Sequence, residues 1–397
     1  MKKVLVCRAG VLPYSETFIR EQLMAYSRWK PVLVGTHRVE PGLPVEGLTV
    51  RLLHSATPTL RSRLYKRVLR ELHVAPPGGL RRLRDENAAL VHVHFGTDAV
   101  DYWPLLKQLQ LPVMVTLHGF DINIHKEEWQ RDRSSLASRR YPARLLAMSR
   151  ARGVHFVAVS EAIRRRAIDY GIAPDAITVR YIGIDRARFA FSGVPLTSRP
   201  RRILYVGRLV EKKGGELLIR AFARVRSRVP DAELVMAGDG PLENRFRAAA
   251  AEAGVVVKFL GSVPGEEVKQ QIDSARVFCL PSITAANGDA EGLPISILEA
   301  QACGVPVVTS ARGGVTEGIN PNVTGFGFAE GDVAALAERL IQLLSDDSLA
   351  MSMSAAGPQF IADKFDIGRC TRALEDLYDA QRDASTLPMG TLDEARA

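Results

Sequence analysis

Residues 203–237 read ILYVGRLVEKKGGELLIRAFARVRSRVPDAELVMA, and the alternation inside this stretch decides the fold class. An apolar run at 203–206 meets a basic loop with paired glycines. Apolar residues then recur at helical spacing over 215–227, and a second apolar run follows at 233–237. Short apolar runs separated by one helix length are the pattern of parallel strands buried on both faces and joined by a crossover helix.

Outward from this unit the alternation continues both ways. Toward the C-terminus, strands are expected at 256–260, 277–280 and 305–309, with helices near 241–253, 266–274 and 295–303. Toward the N-terminus an earlier set of strands is expected at 3–8, 31–36, 48–53, 89–94, 113–118, 155–160 and 178–182. Helices fit between them, one over 15–26 capped by Ser15 and another opening at Ser160. Between the two sets, residues 191–200 are rich in Ser, Gly and Pro and lack periodicity.

The expected architecture is therefore α/β, with two doubly wound parallel-sheet, Rossmann-like domains. The first covers 1–195 and the second 196–366; a helix over 367–384 crosses back to the first domain, and 385–397 form a flexible tail. A length of 397 residues suits two domains, because single cores stop growing near ~250–300 residues. Two such sheets in series imply a cleft where the C-terminal ends of their strands face each other, a usual place for ligands.

Hydrophobic residues make up 46% and charged residues 24%, which excludes disordered and collagen-like classes. The apolar start is cut off by Arg8 after four residues, too short for the core of a signal peptide. No run approaches the ~18 apolar residues that span a bilayer, so a cytoplasmic location is expected. Cys7, Cys279, Cys303 and Cys370 form no C-x-x-C pair and read as reduced, mostly buried thiols. Residues 1–195 hold 31 Lys and Arg against 17 Asp and Glu, a net of +14; residues 196–397 hold 22 against 27, a net of −5. A basic half beside an acidic half suits an anionic partner on one side: a membrane surface, a nucleic acid or a phosphorylated substrate.

Two constellations carry chemistry. In 291–299, EGLPISILE, the carboxylates of Glu291 and Glu299 stand eight positions apart, the first in a loop and the second about two turns into a helix. A helix N-terminus offers free N–H groups to phosphate, and nearby carboxylates accept hydrogen bonds from sugar hydroxyls. By spacing alone, a turn glutamate and a helix-face glutamate read equally well. In 206–214, VGRLVEKKG, Arg208 and Lys213 follow a strand and can converge on a diphosphate whose negative charge grows as it leaves. A solvated basic loop is the ordinary alternative. No Asp-x-Asp pair is present to hold a cation, so basic residues are expected to supply the charge.

In company these motifs are specific. V-G-R-x-x-x-x-K-G, G-D-G-P-L at 238–242, E-G-L-P-x-x-x-L-E-A, G-V-P-V-V-T and Gly313-Gly314 closely resemble the C-terminal domain of glycosyltransferase family 4, retaining enzymes of the GT-B fold. The first half, through SETFI at 15–19, HVHFG at 92–96 and LHGFD at 117–121, resembles the exopolysaccharide and colanic-acid branch of that family. The resemblance implies that Glu291 touches the donor sugar, that Gly292, Leu293 and Ile295 hold sugar and phosphate through their backbone, and that Glu299 takes the ribose. It further implies that Arg208 and Lys213 neutralise the diphosphate, that His118 lies beside the transferred sugar, and that Gly10 and Gly240 allow close approach to the donor. The usual Gly-Gly pair of the first loop is absent here, where the chain reads RAGVLP at 8–13.

The implied function is metal-independent, retaining hexosyl transfer from a nucleotide diphosphate sugar to a lipid-linked saccharide, at the inner face of the plasma membrane. No cofactor and no metal are implied. A lone His after a strand also reads as structural, and Asp121 also reads as a cap. His92 and His94 share one strand face without a third ligand at metal spacing. Alternatives on the same fold are a sugar-nucleotide epimerase and a non-catalytic nucleotide-sugar-binding subunit. A nicotinamide dehydrogenase is disfavoured because no G-x-G-x-x-G follows the first strand, and no nucleic-acid motif accompanies the basic half. A membrane-facing helix is expected where Leu60, Leu64, Val68, Leu69 and Leu72 share a face flanked by Arg61, Arg63, Lys66, Arg67 and Arg70, with Arg81, Arg82 and Arg84 close behind.

Overall fold

The computed structural model describes residues 1–53, 64–65, 67–75 and 78–386. Contacts divide the chain into two compact units, residues 1–183 with 367–397 and residues 184–366. The first holds a seven-stranded parallel sheet: β1 (Lys2–Cys7), β2 (Trp29–Gly35), β3 (Thr49–Leu52), β4 (Leu90–His94), β5 (Val113–Leu117), β6 (Val154–Ala158) and β7 (Ile177–Val179), in the order β3-β2-β1-β4-β5-β6-β7. The second holds six parallel strands: β8 (Arg202–Val206), β9 (Glu233–Ala237), β10 (Val257–Gly261), β11 (Val277–Leu280), β12 (Val307–Ser310) and β13 (Gly325–Phe328), in the order β10-β9-β8-β11-β12-β13. Both orders run outward from the first strand and then reverse, between β1 and β4 and between β8 and β11. Ligands of such sheets gather at that reversal, beyond the strand C-termini.

Helices cover both faces of each sheet, so central strands are buried throughout: Val4, Leu5, Val6 and Cys7 in β1, and Val277 through Leu280 in β11, are fully buried. All four cysteines are free and buried. The helix at Ile367–Thr386 belongs to the first unit. Its Glu375, fully buried, accepts from the backbone N–H of Ser27 (3.0 Å), Arg28 (2.7 Å) and Trp29 (2.9 Å) and from Ser27 Oγ (2.9 Å). Four donors satisfy the buried carboxyl oxygens, which would otherwise lack the hydrogen bonds that water gives them.

Some local expectations differ from the structure. The units divide after Gly183, not at 195, because residues 184–200 pack into the second unit: Phe189 is buried, and its carbonyl accepts from Cys303 Sγ at 3.4 Å. Ser15 is not a cap; a short 3-10 turn over Tyr14–Glu16 precedes the helix Thr17–Met24, and Glu16 turns instead toward Arg8. Ser160 does cap its helix, accepting from Ile163 N at 3.2 Å. Of the basic amphipathic segment, Leu60, Arg61, Arg63 and Lys66 lie outside the described residues. Among the rest, Leu69 is buried while Leu64 and Leu72 are 62% and 65% exposed, so the apolar residues do not share one face. Residues Val68–Leu72 form a π-helical turn, whose wider winding breaks the α-helical register.

Candidate active site

Three loops of the second unit meet beyond β8. The basic loop after Val206 is laced to the loop after β9: Leu209 N donates to Asp239 O (2.7 Å), and Leu242 N donates to Leu209 O (3.1 Å). Gly240 permits this, since a Cβ there would fall 2.5 Å from Leu209 O. Gly214 lies in the left-handed region at φ +65°, and a Cβ on it would fall 1.8 Å from Pro281 O, so only glycine lets the loop turn into the Gly215–Arg228 helix here. On the third loop Ser296 Oγ donates to Val206 O (3.2 Å), tying the Ile295–Ala302 helix to the end of β8.

This arrangement brings Lys213 Nζ to 3.2 Å from Glu291 Oε2, with both side chains largely buried, 15% and 9% exposed. Burial acts to raise the Glu291 pKa, but the charges of Lys213 and Lys212 and the Lys213 hydrogen bond outweigh it and hold the carboxyl below the usual range. Glu291 therefore stays ionised at neutral pH. Its second oxygen, Oε1, is buried and has no hydrogen-bond partner among the described residues. An orphaned buried acceptor costs ~1–3 kcal/mol, and a ligand hydroxyl arriving here would remove that cost. Gly292 and Leu293 are buried beside it, Ile295 opens the helix, and Glu299 on the same helix is buried. Arg208 is exposed, and its guanidinium has neither ion pair nor hydrogen bond among the described residues.

In the first unit, β1, β4 and β5 end at a different cluster. His118, after β5, shares a 3.0 Å hydrogen bond from Nε2 to His94 Nδ1 and packs against Phe95 (4.3 Å) and Phe18 (5.2 Å). His92 on the same strand face shares hydrogen bonds with Thr116 Oγ1 (2.6 Å) and Tyr378 OH (2.5 Å). Burial pushes His92 down to about 3 and drives His94 and His118 well below 6.5, so all three rings are neutral. Asp121 accepts from the N–H groups of Gly96 (2.9 Å), His118 (3.1 Å) and Gly119 (2.9 Å), which fixes the turn that presents His118. Arg8 forks onto Glu16 (2.6 Å) and Asp98 (2.5 Å) and lies 4.4 Å over the Phe95 ring. Phe95 itself has φ +72°, a strained backbone for a bulky residue. Gly10 follows in a short bridge to His37, and the space of its missing Cβ is filled by Val39 Cγ2 at 2.8 Å.

Comparison with known proteins gives this geometry a family. Residues 189–360 match the family model described as glycosyl transferases group 1, and residues 28–188 match that of Glycosyltransferase Family 4. The amylovoran biosynthesis glycosyltransferase AmsK of Erwinia amylovora is 32% identical over 73% of this chain and 69% of its own length. The chain belongs to glycosyltransferase family 4. Within that family it is similar to the putative colanic acid biosynthesis glycosyltransferase WcaL of Escherichia coli, 35% identical over 50% of each chain. The fold is GT-B: the HepE protein of Anabaena, solved in complex with UDP, matches with a TM-score of 0.75 at 18% identity, over 96% of this chain and all of its own.

In this family 4 transferase the structure brings Arg208, Lys213, Glu291, Gly292, Leu293, Ile295 and Glu299 to one end of the second sheet, with Gly240 on the adjoining loop after β9. His118 and Gly10 belong to the first unit. Among the described residues no group of three or more His, Cys, Asp or Glu is arranged to hold a metal ion. Two pairings, one in each unit, escape sequence reasoning. Lys212 pairs with Asp289 at 3.0 Å across 77 positions, and His94 pairs with His118 across 24. Neither separation carries a sequence signal, although the doubled lysine at 212–213 marks the first of these.

Proposed function

We propose that this glycosyltransferase moves a hexosyl group from a nucleotide diphosphate sugar to a lipid-linked saccharide, with retained configuration and without a divalent metal. The setting is exopolysaccharide or cell-envelope polysaccharide synthesis at the inner face of the plasma membrane. The observation that carries this reading is the Glu291 carboxylate, held ionised by Lys213 with its second oxygen buried and unpartnered. Such an acceptor fits a sugar hydroxyl, while Lys213 and the free Arg208 guanidinium fit the departing diphosphate. The acceptor hydroxyl attacks the anomeric carbon on the face from which the diphosphate leaves; the leaving oxygen takes the acceptor proton. The similarity to AmsK of amylovoran biosynthesis and to the putative colanic acid transferase WcaL, and the UDP bound to HepE, support the pathway and the donor class.

The test is transfer from a panel of nucleotide diphosphate sugars to extracted lipid-linked acceptor in excess chelator, with the product's anomeric configuration read by NMR. Acceptor-dependent product of the donor's own configuration is expected. Inversion, or loss of activity restored by manganese, would overturn the mechanism. Donor consumed without acceptor would point to the epimerase.

A further inference from the structure

The loop over residues 282–291 carries Glu291 and is held at both ends by one residue. Ile283 N donates to the backbone oxygen of Lys212 at 2.8 Å, close to where the loop begins. Lys212 Nζ then donates to Asp289 Oδ1 at 3.0 Å, two positions before Glu291. Between these anchors Ala285 N donates to Asp289 O (2.8 Å), Gly288 N donates to Ala285 O (2.8 Å) and Asp289 N donates to Asn287 Oδ1 (2.9 Å), while Thr284 N donates to Glu330 Oε1 (2.6 Å) and Ala286 N to Glu211 Oε1 (3.3 Å). The ion pair is largely sheltered, with side chains 20% and 22% exposed, so water screens it less than a surface pair.

We propose that Lys212 and Asp289 form a clasp that sets the 282–291 loop so that Glu291 meets the donor sugar, which makes Lys212 a positioning residue rather than a phosphate ligand. Adjacent lysines thereby divide the work: Lys213 pairs with the carboxylate itself, and Lys212 fixes the backbone that delivers it. The charge of Lys212 also helps to hold Glu291 ionised. A site residue displaced by about 1 Å can lose ~100-fold in rate, so a device of this kind acts on turnover more than on donor affinity. The inference rests on the donor-binding role proposed for Glu291.

The experiment compares Lys212→Met, Asp289→Asn, their double variant and Lys212→Arg by two readouts. The first, hydrogen exchange of backbone amides, needs no activity. Residues 283–289 should exchange at least ~10-fold faster in both single variants, with the Ile295–Ala302 helix unchanged. The second is kinetics: each single variant should lower kcat ~10-fold or more with donor KM within ~2-fold, and the double variant should fall no further than Lys212→Met, since the clasp is already lost in either single and only Lys212→Met also removes the charge beside Glu291. Lys212→Arg should retain most of the activity. Unchanged exchange overturns the clasp. So does a harmless Asp289→Asn beside a Lys212→Met that raises only donor KM, the result expected of a diphosphate ligand. Should Glu291→Gln retain full transfer, the reading of Glu291 fails on its own, and the exchange data still decide the clasp.

Discussion

The strand ends of the two units carry opposite kinds of chemistry. At β4 and β5 the side chains are neutral, aromatic and mostly engaged with each other: His92, His94 and His118 with Thr116 and Tyr378, and Phe95 between Arg8 and His118. At β8 and β11 they are charged, and one carboxylate oxygen is left unanswered. All eight histidines of the chain fall in residues 37–155, and the second unit has none. A neutral cluster packed largely on itself acts as a wall, able to shape and exclude, although His94 Nε2 is also buried without a partner among the described residues. A cluster held ionised and incomplete is a receptor, because its polar deficit is removed only by a ligand.

The largest effect that this contrast predicts lies in the second unit. Glu291→Gln and Lys213→Ala should each lower turnover at least ~100-fold in folded protein, the scale of a lost electrostatic contact to a transition state. Near-normal steady-state rates in either variant would remove that residue from the mechanism. In the first unit, His118→Ala should cost only ~10-fold, as expected of a wall residue that positions; a loss equal to that of Glu291→Gln would erase the distinction.

Acid should separate the units as well. A histidine kept neutral in the fold has a folded pKa below its unfolded value near 6.5, so its stabilisation is present above that value. It is lost as pH falls, by about 1.4 kcal/mol per histidine for each pH unit below 6.5. His92, down at about 3, makes the full contribution across pH 6.5 to 4. Asp101 and Asp121, raised by burial to about 7 and about 6, work the other way and offset part of this loss. Calorimetry should still show the first unit's transition falling with pH in that window while the second holds; parallel shifts would contradict the histidine account. The smallest effect concerns the membrane. Arg67, Arg81 and Arg84 are exposed, as are Leu64 and Leu72, and each cation near an anionic surface contributes ~1 kcal/mol. Replacing all three by Gln should weaken sedimentation with anionic vesicles and leave the low binding to neutral ones unchanged. Equal binding to both vesicle types by the native chain would exclude this attachment.

What the sequence determined by itself was whatever neighbours along the chain enforce. The apolar runs of β1, β8, β9 and β11 are legible because strands buried on both faces admit few polar residues, and Ser160 is legible as a cap because its partner is three positions away. The glutamates at 291 and 299, with Gly292 and Pro294, mark a helix entrance for the same local reason. Tertiary structure decided the rest. Gly325–Phe328 carries two glycines in four residues and shows no strand pattern, yet it pairs with β12 because a Cβ at Gly325 would fall 2.2 Å from Val307 O, a spacing only glycine allows. The division after Gly183 depends on where Phe189 is buried, against a composition that points to 195. Lys212 meets Asp289, and Glu375 meets the turn at Ser27–Trp29, across 77 and more than 340 positions. Sequence periodicity records which face of an element is buried; which distant charge arrives there depends on the packing of every element between.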